Sequence, residues 1–199
     1  DSGRIEILGQ SAREAARRRV GYLPEEKGLY RKMTVLGALL YFGAIKGLER
    51  GQLASRAGDW LGRLGLSSWA GRKVEELSRG MQQKLQFAVT CIGDPQLLIL
   101  DEPFSGLDPV NLDLLKSMVL EMRGQGKTIL FSTHIMHEAE QLCDFLLLIN
   151  KGRAVFNGTL EEIRSRWKSH AVAARVQGDA TFLSGLPYVR EVRAGGGGA

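Results

Sequence analysis

Cysteine is scarce: Cys91 and Cys143 are the only two in 199 residues, far apart and in no CxxC pair. That excludes a disulfide framework and reads as reduced, buried thiols in the cytosol. Also missing is any apolar run near the roughly 18 residues needed to span a bilayer. The opening Asp1-Ser2-Gly3-Arg4 is polar and does not read as a secretory signal. Basic residues form one tight cluster, Arg17-Arg18-Arg19, and no aromatic residues interleave with a basic stripe as in single-strand binders. The net charge of +5 and pI near 9.4 therefore describe an ordinary basic surface, and no nucleic-acid partner is expected. There is no internal repeat. A hydrophobic content of 44% and a charged content of 25% suit a globular protein with one full domain and room for a small second one.

What is present centres on Leu97-Leu98-Ile99-Leu100-Asp101-Glu102-Pro103. Four aliphatic residues run into two adjacent carboxylates, and a proline stops the strand. An uninterrupted apolar run of this length predicts a strand buried on both faces, in a parallel sheet covered by helices. A ligand crevice is expected at the carboxyl end of such a strand. Two acids there can hold a divalent cation and activate a water.

In chain order, Arg4 to Leu8 reads as a strand closed by Gly9, and residues 11–19 as a short basic helix. Val20 to Pro24 is a strand that leads into the polar loop Glu25 to Tyr30. Thr34 caps a helix over Val35 to Ile45 that is apolar nearly all round, and such a helix is buried or docks against something. A second helix, about 49–64, carries Leu53, Ala57, Trp60, Leu61 and Leu64 at helical spacing.

Ser78 caps a third helix with Met81, Leu85, Ala88 and Ile92 on its inner face, broken at Gly93-Asp94-Pro95. Asp108 followed by Pro109 starts another helix, which ends at Gly124. Thr128 to Ser132 and Phe145 to Ile149 are apolar strands separated by a short helix at 136–143. Alternating strands and helices predict right-handed crossovers in one parallel sheet. A hairpin follows at Asn150 to Phe156, then a helix from Thr159 to near Trp167. Beyond Ser169, short strands around Val172, Val176 and Tyr188 to Val192 read as a small separate unit with a flexible glycine-rich end.

The ordered set Leu77-Ser78-Arg79-Gly80-Met81-Gln82-Gln83, Leu97 to Glu102, Ser105-Gly106-Leu107-Asp108 and His134 resembles the motifs of ATP-binding-cassette (ABC) ATPases. These are, in turn, the signature, the Walker B strand, the D-loop and the switch histidine. The loop Gly21 to Tyr30 resembles exporter-type subunits, including drug and sodium exporters of prokaryotes.

The resemblance implies an α/β fold, a P-loop NTPase-like parallel sheet flanked by helices, with a helical subdomain at about 35–76. Residues 1–168 would be the nucleotide-binding domain, and 169–199 a small C-terminal α+β extension. It implies ATP and Mg²⁺ as ligands, ATP hydrolysis coupled to export, a second nucleotide-binding subunit and a transmembrane permease as partners. The expected location is the cytoplasmic face of the cell membrane.

Asp101 would hold Mg²⁺ through water, and Glu102 would act as general base on the attacking water. His134 would face the terminal phosphate, and Ser78 and Gly80 would serve ATP held by the opposite subunit. Asp108 would sense that subunit. Glu25 stands where the family more commonly has a metal-contacting glutamine, and Arg79 and Met81 stand where glycine and glutamine are commoner.

No GxxxxGK[ST] loop occurs in the 199 residues. The nearest match, Glu121 to Thr128, joins a helix to a strand, the reverse of a phosphate loop, and reads as a turn. The expectation is a nucleotide-binding subunit that starts after its phosphate loop and is inactive alone. Two alternatives remain, a non-catalytic fragment that only pairs with an intact subunit and a chromosome-maintenance or DNA-repair ATPase. The latter insert long coiled coils or cysteine-rich zinc modules, whereas this chain has a short globular insert.

Overall fold

The computed structural model describes residues 3–11, 19–26, 28–166, 181–186, 189 and 192. At its centre lies a three-stranded parallel sheet in the order β3 (Val20–Leu23), β4 (Leu97–Asp101), β5 (Thr128–Ser132). Before it, β1 (Glu6–Ile7) and β2 (Gln10–Ser11) form a small antiparallel hairpin. Leu8 and Gly9 turn that hairpin with φ of 53° and 73°, the two positive values of a type I′ turn. The strand expected over residues 4–8 is thus shorter and paired, and most of the helix expected at 11–19 lies outside the described residues.

The helices follow their sequence signals closely. α1 (Val35–Ile45) is capped by Thr34, whose hydroxyl accepts from Gly37 N at 3.0 Å. It buries Val35, Ala38, Leu39 and Gly43 while leaving Tyr41 and Ile45 exposed. α2 (Arg50–Arg63) buries Leu53, Ala57, Trp60 and Leu61. α3 (Arg79–Cys91) inserts Leu85, Phe87 and Ala88 into the main core. α4 (Pro109–Gly124) adds Leu115, Met118, Val119 and Met122. α3 is tied to the end of α2 by Lys84, whose Nζ donates to Leu64 O at 2.8 Å. Burial holds that ammonium below its usual pKa.

Among the described residues the sheet is covered on one face only. Leu98 and Leu100, with Leu23 beside them, pack under α3 and α4. The row Tyr22, Ile99 and Leu130, aligned by the parallel register, lies on the other face, where Tyr22 is 56% and Leu130 61% exposed. The expectation of strands buried on both faces is corrected here. An apolar run is compatible with burial, but only packing elements decide which side is covered.

A second correction concerns β6 (Phe145–Asn150). After α5 (Met136–Leu142), it pairs antiparallel with β7 (Arg153–Thr159) in a two-stranded sheet of its own. Among the described residues it does not join the parallel sheet. Lys151 and Gly152, at φ 49° and 73°, close the hairpin. α6 (Leu160–Arg166) is opened by a reciprocal cap: Thr159 Oγ1 accepts from Glu162 N, and Glu162 Oε2 from Thr159 N. Trp167 and most of the expected C-terminal unit lie outside the described residues, apart from a 3₁₀ turn at Thr181–Gly185. Among the described residues no helix is long and apolar enough to cross a membrane.

Candidate active site

The adjacent Asp101 and Glu102 meet Ser132 and His134 at the carboxyl ends of β4 and β5. Asp101 is the last residue of β4 and pairs in register with Ser132, the last of β5. Glu102 leaves the strand with φ of 44°, in the left-handed region, at a cost on the order of 1–2 kcal/mol for a non-glycine residue. That turn brings Glu102 Oε1 to 2.9 Å from His134 Nδ1. The Glu102 side chain is 20% exposed and that of His134 75%, so the carboxylate sits in a recess with the imidazole at its mouth. The hydrogen bond to Glu102, then its charge, holds the His134 pKa above its usual 6.5. Glu138 and Glu25 add smaller contributions in the same direction.

Two glutamines of α3 brace the loops around this recess. Buried Gln83 donates from Nε2 to Pro103 O at 3.0 Å, holding the chain where it leaves β4. Gln86 donates to Pro24 O at 3.0 Å and to Glu26 O at 3.2 Å, on either side of Glu25. Glu25 itself is exposed on the loop after β3.

Ser78, Gly80 and Asp108 form a second group. Ser78 caps α3, its Oγ accepting from Met81 N at 3.2 Å. Asp108 caps α4, accepting from Asn111 N at 3.0 Å. That bond and a second one from the Asn111 side chain hold the Asp108 carboxyl below the usual carboxylate range.

A β-carbon added at Gly80 would meet nothing closer than Asn111 Nδ2 at 3.5 Å. The fold itself would therefore accept a side chain there, so the glycine answers no internal contact. At Gly106, with φ of 69°, an added β-carbon would stand 3.3 Å from the Arg79 guanidinium, which lies over that turn. Among the described residues no hydrogen bond or ion pair joins Ser78, Gly80 or Asp108 to Asp101, Glu102 or His134.

Asp101 suits a hard divalent cation by its donor chemistry, a half-buried carboxylate with a hydroxyl beside it. Among the described residues no three of His, Cys, Asp and Glu converge closely enough to enclose a metal. A Mg²⁺ that keeps its waters and takes phosphate oxygens needs only one or two carboxylates. The residues fit such an ion at Asp101. Exposed Glu25 makes no such cluster with it.

Sequence reasoning missed Ser132, which it read only as the end of a strand. Its hydroxyl donates to Asp101 Oδ1 at 2.5 Å and accepts from Glu102 N at 3.0 Å. A hydroxyl at the carboxyl end of the strand next to the acidic one is the signal that could have found it.

The imitation phosphate loop is settled by structure. Gly124 ends α4, Thr128 starts β5, and Lys127 pairs with Asp94 while donating to Pro95 O at 3.2 Å. Lys127, Asp94 and Pro95 line a cavity of about 220 Å³ with Arg56, Trp60 and Cys91. It opens at the amino ends of β4 and β5, opposite the carboxylates.

The family profile for ABC transporters matches residues 1–105. The ABC transporter ATP-binding protein YhaQ of Bacillus subtilis is 43% identical over 181 residues, covering 91% of this chain and 61% of its own length. The Nod factor export ATP-binding protein I of Sinorhizobium fredii is 41% identical over 161 residues, covering 79% of this chain and 47% of its own. The chain thus spans about half to three fifths of these two relatives. A solved ATP-binding subunit of an ABC transporter superposes with a TM-score of 0.77 at 32% identity, over 84% of this chain and 71% of that one. The α/β architecture is therefore that of a P-loop NTPase-like ABC subunit, and the chain belongs to the ABC transporter ATP-binding family.

Proposed function

We propose that the chain contributes the water-activating part of an ATP-hydrolysing subunit that drives export through a membrane permease. The observation that carries this reading is the 2.9 Å contact between Glu102 and His134 at the ends of adjacent parallel strands. A recessed carboxylate held by an imidazole is placed to take a proton from water as the water attacks a phosphoryl group. The proton ends on Glu102, and His134 keeps the carboxylate oriented. Bound at Asp101, Mg²⁺ would neutralise charge on the phosphate oxygens.

The amino end of α3 supports a second part of the reading. It carries unpaired N–H groups, the Ser78 hydroxyl and the unencumbered Gly80, features suited to phosphate. We place there the terminal phosphate of ATP held by a second nucleotide-binding subunit, with Asp108 beside the subunit boundary. The permease is assigned to the groove beside Glu25; on the loop and helix that follow it, Tyr30 and Tyr41 are exposed with ring centroids 5.6 Å apart. The work would take place at the cytoplasmic face of the membrane. The export direction follows the exporter-like loop at 21–30 and the name of the Nod factor relative.

The test is to join a strand–GxxxxGK[ST]–helix unit ahead of Asp1 and measure Mg²⁺-dependent release of phosphate from ATP. Hydrolysis yielding one phosphate per ADP is expected. A folded fusion that binds ATP without hydrolysing it above buffer would contradict the reading.

A further inference from the structure

Glu102 cannot continue the ladder of β4, because the register with β5 ends at Asp101 and Ser132. Its N–H instead donates to Ser132 Oγ at 3.0 Å, while the Ser132 proton goes to Asp101 Oδ1 at 2.5 Å. One hydroxyl thereby binds the side chain of one carboxylate residue and the backbone of the next. The peptide between them is held as Glu102 turns into the left-handed region at φ 44°, which is the turn that aims its carboxylate at His134.

The histidine is held from the other side as well. Thr133 Oγ1 donates to buried Glu138 Oε2 at 2.6 Å and accepts from Ile135 N at 3.1 Å. His134 therefore stands beside two residues whose hydroxyls are both anchored, one to the carboxylate strand and one to α5.

We infer that Ser132 is a positioning residue, whose hydroxyl holds the Asp101–Glu102 turn in the one conformation that presents Glu102 to His134 and to water. The inference rests on the reading of Glu102 as the water-activating base. An aliphatic side chain at 132 offers no acceptor for Glu102 N–H and no donor for Asp101. The turn then loses its tie and relaxes toward the favoured negative φ, carrying the carboxylate away from the imidazole.

The test uses the 199-residue chain alone and reads which ring nitrogen of neutral His134 carries the proton, by long-range ¹H–¹⁵N NMR. The measurement is made about two pH units above the ordinary imidazole value. A carboxylate partner forces the proton onto Nδ1, whereas an unconstrained imidazole prefers it on Nε2. Threonine and valine have nearly the same shape and both suit a strand, so they separate the hydroxyl from packing.

Wild type and Ser132→Thr are expected to hold most of the proton on Nδ1, and Ser132→Val to move most of it to Nε2. Glu102→Ala gives the reference for a released ring. An unchanged Nδ1 proton in a folded Ser132→Val protein would overturn the inference, as would an Nε2 proton in the wild type. Failure of the general-base reading shows elsewhere, in undiminished turnover by Glu102→Gln, and leaves this ring signature as it is.

Discussion

Gly21 of β3 lies so close to α3 that a β-carbon there would stand 2.7 Å from the carbonyl oxygen of Thr90. The contact is to backbone, so no side-chain rotation can relieve it. It sets the distance between the parallel sheet and the helix whose amino end carries Ser78 and Gly80. The Thr90 hydroxyl, 3.3 Å from Tyr22 O, lies at the same seam. Gly21→Ala should therefore destabilise the fold by about 1–3 kcal/mol, read as a lower urea midpoint. An unchanged midpoint would show that strand and helix can part at no cost.

Leu100 is 1% exposed, one residue before the carboxylate pair, and packs within the core shared by α3 and α4. Leu100→Ala should cost about 2–5 kcal/mol through lost burial and the cavity left behind. Equilibrium unfolding measures it. A loss below 1 kcal/mol (about a fifth of the upper value) would mean that the strand end is not packed as described.

Ser78 has two proposed jobs, and two substitutions separate them. Ser78→Ala removes the acceptor for Met81 N and should cost about 1 kcal/mol, whereas aspartate caps as well as serine. Ser78→Asp should thus keep stability to within a few tenths of a kcal/mol yet set a negative charge against phosphate. ATP-dependent pairing with a second nucleotide-binding subunit, followed by light scattering, should be lost in Ser78→Asp. Pairing as strong as wild type would remove the phosphate assignment.

The acidic strand, the caps at Thr34, Ser78 and Asp108, and the proline at the start of α4 were all legible, because each is a local signal. The union of Asp101, Glu102 and His134 was legible only through the order of the motifs, since no local rule brings residues 32 apart together. Ser132 was hidden for the same reason: it meets Asp101 through a parallel register that links residues 31 apart. The sidedness of the sheet was hidden differently. Ile99 and Leu130 are as apolar as the buried Leu98 and Leu100, so hydropathy could not say which face the helices leave open. The hairpin that pairs β6 with β7 was legible in its turn at Asn150 to Arg153, but its separation from the parallel sheet was not, because an apolar run suits either kind of sheet.

His134 should titrate with a midpoint above 6.5, raised first by its hydrogen bond to Glu102 and then by that residue's charge. The sign follows from linkage. A group whose folded pKa is raised adds its stabilisation fully below the unfolded value and loses it as pH rises through the folded one. The charged contact is therefore complete below the unfolded imidazole value and fades as pH rises through the raised one. With the imidazole 75% exposed, solvent screens the contact strongly, so ring-proton NMR is the readout and melting is not. Glu102→Gln should return the midpoint toward 6.5. A midpoint at or below that value in the wild type would contradict the pairing.

The central claim is that Glu102 activates the water that attacks ATP. The direct measurement is the rate of phosphate release by the protein fused behind a GxxxxGK[ST] unit, with Glu102 and with Glu102→Gln. Glutamine keeps the shape and cannot take the proton, so turnover should fall about 10²–10⁴-fold while ATP binding persists. Turnover undiminished by Glu102→Gln would contradict the account.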